Sequence, residues 1–281
     1  MDQATKKQLS KVALNIRKHA LEAVYSAKSG HPGGSLSIAD VLAYLYFREM
    51  RVDPKNPAKP DRDRFVLSKG HCSPALYSAL ALKGYFPLEE IKHFRELGHM
   101  LQGHPDMKGV PGVDMSTGSL GQGISAACGM ALSAKLFHDD YRVYAVLGDG
   151  ELEEGQVWEA AMFAAQYKLD NLCAYVDFNG LQIDGNVADV MSPLPIPGKF
   201  REFGWNVLEI SAHDFDEIER AYAQAKEFKG KPTVIVGRSV KGKGVSFMEN
   251  VAGWHGSAPN QQQYEQALGE LDAALAALEE V

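Results

Sequence analysis

Residues 143–180, VYAVLGDGELEEGQVWEAAMFAAQYKLDNLCAYVDFNG, decide the fold. An apolar run, Val143–Leu147, closes on Gly148-Asp149-Gly150. A helix-forming stretch follows, GELEEGQVWEAAMFAAQYK, beginning as a helix near Glu151. A second apolar run, LCAYVDF, then closes on Asn179-Gly180. Strand, helix and strand in this order read as a parallel unit whose strands are buried on both faces. Ligands of open parallel sheets sit beyond the carboxyl ends of the strands, where the GDG turn and Asn179 both fall.

These residue types suit a metal-bridged diphosphate. Gly148 and Gly150 let the backbone turn sharply and approach a ligand. A helix N-terminus aimed at the same place favours an anion. The Asp149 carboxylate would repel that anion unless a cation lay between them. Asp149 and the Asn179 amide oxygen are therefore read as ligands of a hard divalent cation, Mg²⁺, Ca²⁺ or Mn²⁺. Asp-Gly alone is also a common turn pair; the ordered strand, helix, strand and Asn raise it above a turn.

Outward from this unit, apolar strands alternate with amphipathic helices. RFVLS, WNVLEI and PTVIVGRS read as strands. IADVLAYLYFREM, ALYSALALKGYF, ISAACGMALSAKLFH and DFDEIERAYAQAKEFK read as helices. SGHPGGSLS and RVDPKNPAKPDRD read as loops. At the N-terminus Leu9, Ala13, Ile16, Ala20 and Val24 recur at helical spacing. The C-terminal PNQQQYEQALGELDAALAALEEV reads as a last amphipathic helix. The expected fold class is α/β, a mainly parallel sheet sandwiched by helices, in one domain over residues 1–281.

Composition excludes several classes. The 281 residues carry a net charge of −7, without the basic face that nucleic acid requires. No apolar run reaches the ~20 residues needed to span a bilayer, so no membrane partner is expected. Cys72, Cys128 and Cys173 lie too far apart to suggest a disulfide framework or a Cys-x-x-Cys site. The N-terminus lacks a signal-peptide apolar core, and a reducing, cytoplasmic setting is expected. TGSLGQG departs from the dinucleotide fingerprint GxGxxG, and SVKGKG from the phosphate-loop spacing. His99 and His104, with Asp106 nearby, lack the ligand number of a zinc centre.

The chain resembles transketolase. Five dispersed motifs carry the resemblance: KSGHPGGSLSIADVLAYLYF (28–47), DRDRFVLSKGHCSPALYSAL (61–80), GHPDMKGVPGVDMSTGSLGQGISAACGMALSAK (103–135), GDGELEEGQVWEAA (148–161) and GRSVKGKGVSFMENVAGWHG (237–256). The GDG and Asn pair, 179 − 149 = 30 residues apart, is similar to the thiamine-diphosphate motif. The likeness runs from about Ala13 to Pro259 and covers the family's diphosphate-binding domain. It implies thiamine diphosphate as cofactor, with the Leu181 carbonyl joining Asp149 and Asn179 on the metal. It implies diphosphate contacts from the Gly150 N–H, His71 and His255. Gly118 would contact the aminopyrimidine through its backbone, with Leu120 packed beside it. His31, His104 and His255 would meet substrate hydroxyls and move protons, a task suited to imidazole. His19, His93, His138 and His213 lack that setting and read as surface or helix residues. Glu154 matches an acid that connects active sites across the family's dimer, and equally reads as a solvated first-turn glutamate. Lys241 matches a lysine near the diphosphate, and equally reads as part of a mobile basic loop.

The family's pyrimidine-binding domain and its glutamate find no counterpart in this sequence. The resemblance therefore implies the N-terminal subunit of a split transketolase. A second chain would carry the pyrimidine-binding and C-terminal domains, with two copies of each chain in a heterotetramer. The implied reaction moves a two-carbon ketol unit from a ketose phosphate to an aldose phosphate, as in the pentose phosphate pathway. The alternatives are the α-type E1 subunit of a 2-oxoacid dehydrogenase, which SGHPGG and GWHG argue against, and a non-catalytic cofactor-binding or regulatory subunit.

Overall fold

The computed structural model describes residues 1–280. Five strands form one parallel sheet: β1 (Arg64–Leu67), β2 (Val143–Gly148), β3 (Leu172–Phe178), and, beyond a two-stranded hairpin of β4 (Leu181–Gln182) and β5 (Gly185–Asn186), β6 (Asn206–Ser211) and β7 (Thr233–Arg238). Their order across the sheet is β1-β2-β3-β7-β6. In register, Arg64 lies beside Val143, Val143 beside Leu172, and Cys173 beside Thr233. Every expected strand is present, and all five end at the same edge.

Successive residues of a strand face opposite layers. Tyr144, Val146, Cys173, Tyr175 and Ile235 pack into one layer with α1 (Gln3–Ala27), α3 (Ala39–Tyr44), α4 (Ser73–Lys83) and α9 (Phe215–Glu227). Ala145, Leu147, Ala174, Val176 and Val236 pack into the other with α5 (Gln122–Phe137), α6 (Gly155–Gln166) and α8 (Ile196–Glu202). The apolar stripe anticipated on α1 is buried at every position. Asp2 caps this helix by accepting from the Thr5 N–H at 2.7 Å, and it ends at Lys28 in the left-handed region, φ 51°. The last helix, α10 (Gln261–Glu280), lies on α1 through a small core of Leu21, Leu36, Val245, Met248, Ala267 and Leu271.

The structure corrects three local expectations. Residues read as a loop form α2 (Pro32–Ser37), fully buried, with proline in its first turn. A Cβ on Gly34 would lie 2.7 Å from Cys72 Sγ, so the double glycine serves close packing. The helix expected from Glu151 is instead a 3₁₀ turn, Gly150–Glu153, then an extended Glu154 (ψ 126°), then α6. The short α7 (Val187–Val190), like the β4–β5 hairpin, had no counterpart in the sequence reading.

Candidate functional site

The site is built on the strand ends. Past β2, the Glu151 side chain folds back beneath the 3₁₀ turn. Its Oε2 accepts from the Gly148 N–H at 3.0 Å, and its Oε1 accepts from the Gly121 N–H at 2.9 Å and from Ser68 Oγ. One buried carboxylate thus ties the ends of β1 and β2 to the start of α5. Burial pushes its pKa up, against those three donors. Gly123 lies so close that an added Cβ would sit 2.6 Å from the Ser68 Cα, so no side chain fits between α5 and this corner.

Asp149 accepts from the N–H groups of Gly150, at 2.9 Å, and Gly180. Burial, with Asp177 adding negative charge nearby, pushes its pKa up to about 6. Asn179 donates from Nδ2 to Asp177 Oδ2 at 2.9 Å, while its Oδ1 accepts from the Leu181 N–H at 3.1 Å. Asp177 in turn pairs with Lys69 at 2.6 Å, both buried, and accepts from Ser37 and Ser239. Burial alone would neutralise both partners, but each charge outweighs that for the other: the Asp177 pKa is lowered and the Lys69 pKa raised. Removing one partner of such a pair costs about 3–5 kcal/mol, so this pair orients Asn179 as a fixed base plate.

Lys241 is buried rather than part of a mobile loop. Its ammonium donates to the Leu181 carbonyl and to His255 Nδ1, both at 2.9 Å. Burial, then the Lys69 charge, lower its pKa to about 8.

Four histidines converge on the same cleft. The His31 ring centre lies 5.1 Å from His71, 5.5 Å from His255 and 6.4 Å from His104; His71 and His255 are 5.1 Å apart. Burial, followed by neighbouring positive groups, lowers the pKa of His31 to about 4, of His255 to about 3, and of His71 well below 6.5. His104 is lowered by burial and then by Arg95. Gly118, at φ 146°, presses against His104, whose Cδ2 would be 2.8 Å from an added Cβ.

Every position singled out in the sequence except His104 lines one cleft of 340 Å³, Leu120, Gly150 and Glu154 included, and His104 adjoins it through His31. The Gly150 N–H is engaged by Asp149 rather than open to the cleft. Because Glu154 is extended, the free N–H groups of α6 begin beyond it and not at Asp149. His213, read as a surface residue, is half-buried: it contacts Asp40 Oδ2 at 2.7 Å and accepts from the Val240 N–H at Nε2. Lys69, Glu151 and Asp177 were not singled out in the sequence. The signal was present, since all three are charged residues at the ends of apolar strands.

The donor set fits the implied groups. Asp149, Asn179 and Leu181 line the same cleft and bring a carboxylate, an amide oxygen and a main-chain carbonyl to it, donor types suited to a hard cation. The Leu181 carbonyl already accepts a positive group, Lys241. The buried Nδ1 of His31 has no partner among the described residues.

Comparison with known proteins agrees. Residues 8–272 match the family described as transketolase, thiamine diphosphate binding domain. The chain belongs to the transketolase family, as an N-terminal, thiamine-diphosphate-binding chain. It is 50% identical over 257 residues to a 6-deoxy-6-sulfo-D-fructose transketolase subunit of Clostridium sp. (strain MSTE9), covering 92% of this chain and 94% of that one. It is 45% identical over 263 residues to an apulose-4-phosphate transketolase subunit of Phocaeicola vulgatus, covering 94% of this chain and 93% of that one. The Homo sapiens transketolase is 41% identical over 96% of this chain, which spans 43% of the human protein. A transketolase variant of Pichia stipitis superimposes with a TM-score of 0.89 at 34% identity, over 96% of this chain and 44% of that chain.

Proposed function

We propose that this protein is the N-terminal subunit of a two-chain transketolase that moves a two-carbon ketol unit from a ketose phosphate to an aldose phosphate. The observation that carries the reading is the convergence of the GDG turn, Asn179 and three glycine-flanked histidines on one cleft, with His104 adjoining, in a chain matching nearly the full length of two transketolase subunits. The partner chain carries the pyrimidine-binding domain, and two copies of each chain form the working assembly. Buried free cysteines suit a reducing, cytoplasmic setting.

Asp149, Asn179 and the Leu181 carbonyl would hold Mg²⁺, with His71, His255 and Lys241 against the diphosphate. Thiamine diphosphate, when bound, supplies the nucleophilic carbon and the electron sink for cleaving the C2–C3 bond. The chain's own residues orient the sugar and handle its protons. With their pKa values lowered, His31 and His255 are neutral imidazoles at pH 7, and His255, whose Nδ1 accepts from Lys241, presents its Nε2–H as a donor to a sugar hydroxyl. The buried Lys69–Asp177 pair, with Asp177 accepting from Asn179 Nδ2, would keep the metal-binding amide in place.

The two subunit relatives carry different sugars in their names, 6-deoxy-6-sulfo-D-fructose and apulose 4-phosphate. We read the donor here as an anionic ketose, with the phosphate as the first choice. The test is ketol transfer from xylulose 5-phosphate to ribose 5-phosphate with thiamine diphosphate and Mg²⁺, assayed for the chain alone and mixed with the candidate partner. Activity should appear only in the mixture and fall about a hundred- to a thousandfold in Asp149→Ala, the range for removing one preorganised electrostatic group from an active site. A confirmed complex without transfer to any aldose phosphate, from phosphorylated or sulfonated donors, would sink this reading.

A further inference from the structure

The segment before His104 brings a second set of ligands together, away from the cleft. Two successive tight turns, Glu96 N–H to the His93 carbonyl at 3.1 Å and His99 N–H to the Glu96 carbonyl at 3.2 Å, place residues 93, 96 and 99 on one side. Arg95 and Gly98 make these turns possible in the left-handed region, at φ 62° and 87°. The His93 and His99 rings stack with centres 4.1 Å apart, and Glu96 reaches both. His93 Nδ1 lies 2.6 Å from Glu96 Oε2; His99 Nε2 lies 3.8 Å from Glu96 Oε1, and His99 Nδ1 3.8 Å from Glu90 Oε2.

We propose that His93, Glu96 and His99 form a peripheral site for a borderline transition-metal dication such as Zn²⁺. One ligand atom from each residue lies within 4.8 Å of the others. Tetrahedral zinc with bonds of about 2.0–2.1 Å needs ligand atoms about 3.3 Å apart. The side chains are partly exposed and free to close that gap by rotating. Two imidazoles and a carboxylate select Zn²⁺, Co²⁺ or Ni²⁺ over Mg²⁺ and Ca²⁺. Water completes the shell.

A cation there would brace a segment continuous with the cleft. The Arg95 N–H donates to the Leu101 carbonyl at 2.8 Å, and its guanidinium donates to Ser29 Oγ at 2.7 Å. Tyr77 Oη lies 2.9 Å from the carbonyls of Gln102 and His104. The site is thus joined through a short, hydrogen-bonded stretch to His104.

The test is titration of the full chain with Co²⁺, in excess Mg²⁺, followed by its visible absorption. One equivalent should bind with the strong band of four-coordinate cobalt and be displaced by Zn²⁺. Affinity should fall at least about tenfold in His99→Ala and in the isosteric Glu96→Gln, with far-UV circular dichroism unchanged. It should persist in His255→Gln, which removes a histidine of the cleft. No stoichiometric band, or a band kept in His99→Ala and lost in His255→Gln, overturns the proposal.

Discussion

His31 shows how burial sets chemistry at a single residue. Its Nδ1 is enclosed without a partner among the described residues, and burial, then Arg95, His104 and Lys241, lower its pKa from 6.5 to about 4. The native state therefore holds this imidazole neutral where the unfolded chain would protonate it. Above pH 6.5 neither state binds the proton, and the group contributes no pH dependence. As the pH falls from 6.5 towards 4, the unfolded state gains a proton that the native state refuses, and stability is lost. His31→Gln should thus flatten the fall in urea midpoint between pH 6.5 and 4 while leaving the slope above pH 7 unchanged. Equal slopes in both proteins would show that His31 titrates normally.

At the scale of elements, the corner under Gly148 does the positioning. Glu151 accepts from the ends of two strands and from the entry to α5, and the Asp149 carboxylate stands on that turn. Glu151→Ala leaves buried donors without an acceptor and should cost about 3 kcal/mol, read as a lower urea midpoint. Glu151→Gln keeps one carbonyl oxygen and should fall between. The same corner marks where the sequence stopped being legible. The five strands were plain as apolar runs, and the four histidines as glycine-flanked positions. Glu151 marked only the start of a helix in the sequence, because its partners Ser68 and Gly121 come from other elements. Pro32–Ser37 looked like a loop because proline and paired glycines disfavour helix locally, yet burial against Cys72 and Trp254 imposes one. Lys241 stayed open between a lysine near the diphosphate and a mobile loop for the same reason: its partners lie 60 and 14 residues away.

At the scale of the molecule, everything that would hold the cofactor's diphosphate sits on one edge of one sheet, joined to both helical layers. Ligand that binds only the folded chain stabilises it by mass action. With the partner chain present, thiamine diphosphate and Mg²⁺ at about a hundredfold over Kd should add about 2.7 kcal/mol, read as a rise in Tm, and Asp149→Ala should abolish the rise. An equal rise in that variant would place the cofactor elsewhere.

The histidine cluster spans almost the whole chain, with His31 touching His255 across 255 − 31 = 224 residues. A ribosome adding about 5–20 residues per second leaves on the order of ten to forty seconds between their emergence. Over that interval the nascent chain has one half of a pocket, and β3 waits for β7 to pair with it. The vitamin-derived cofactor therefore cannot guide the early stages of synthesis. A chain released before the last histidine is made would lack one wall of the cleft, whatever else of it had folded.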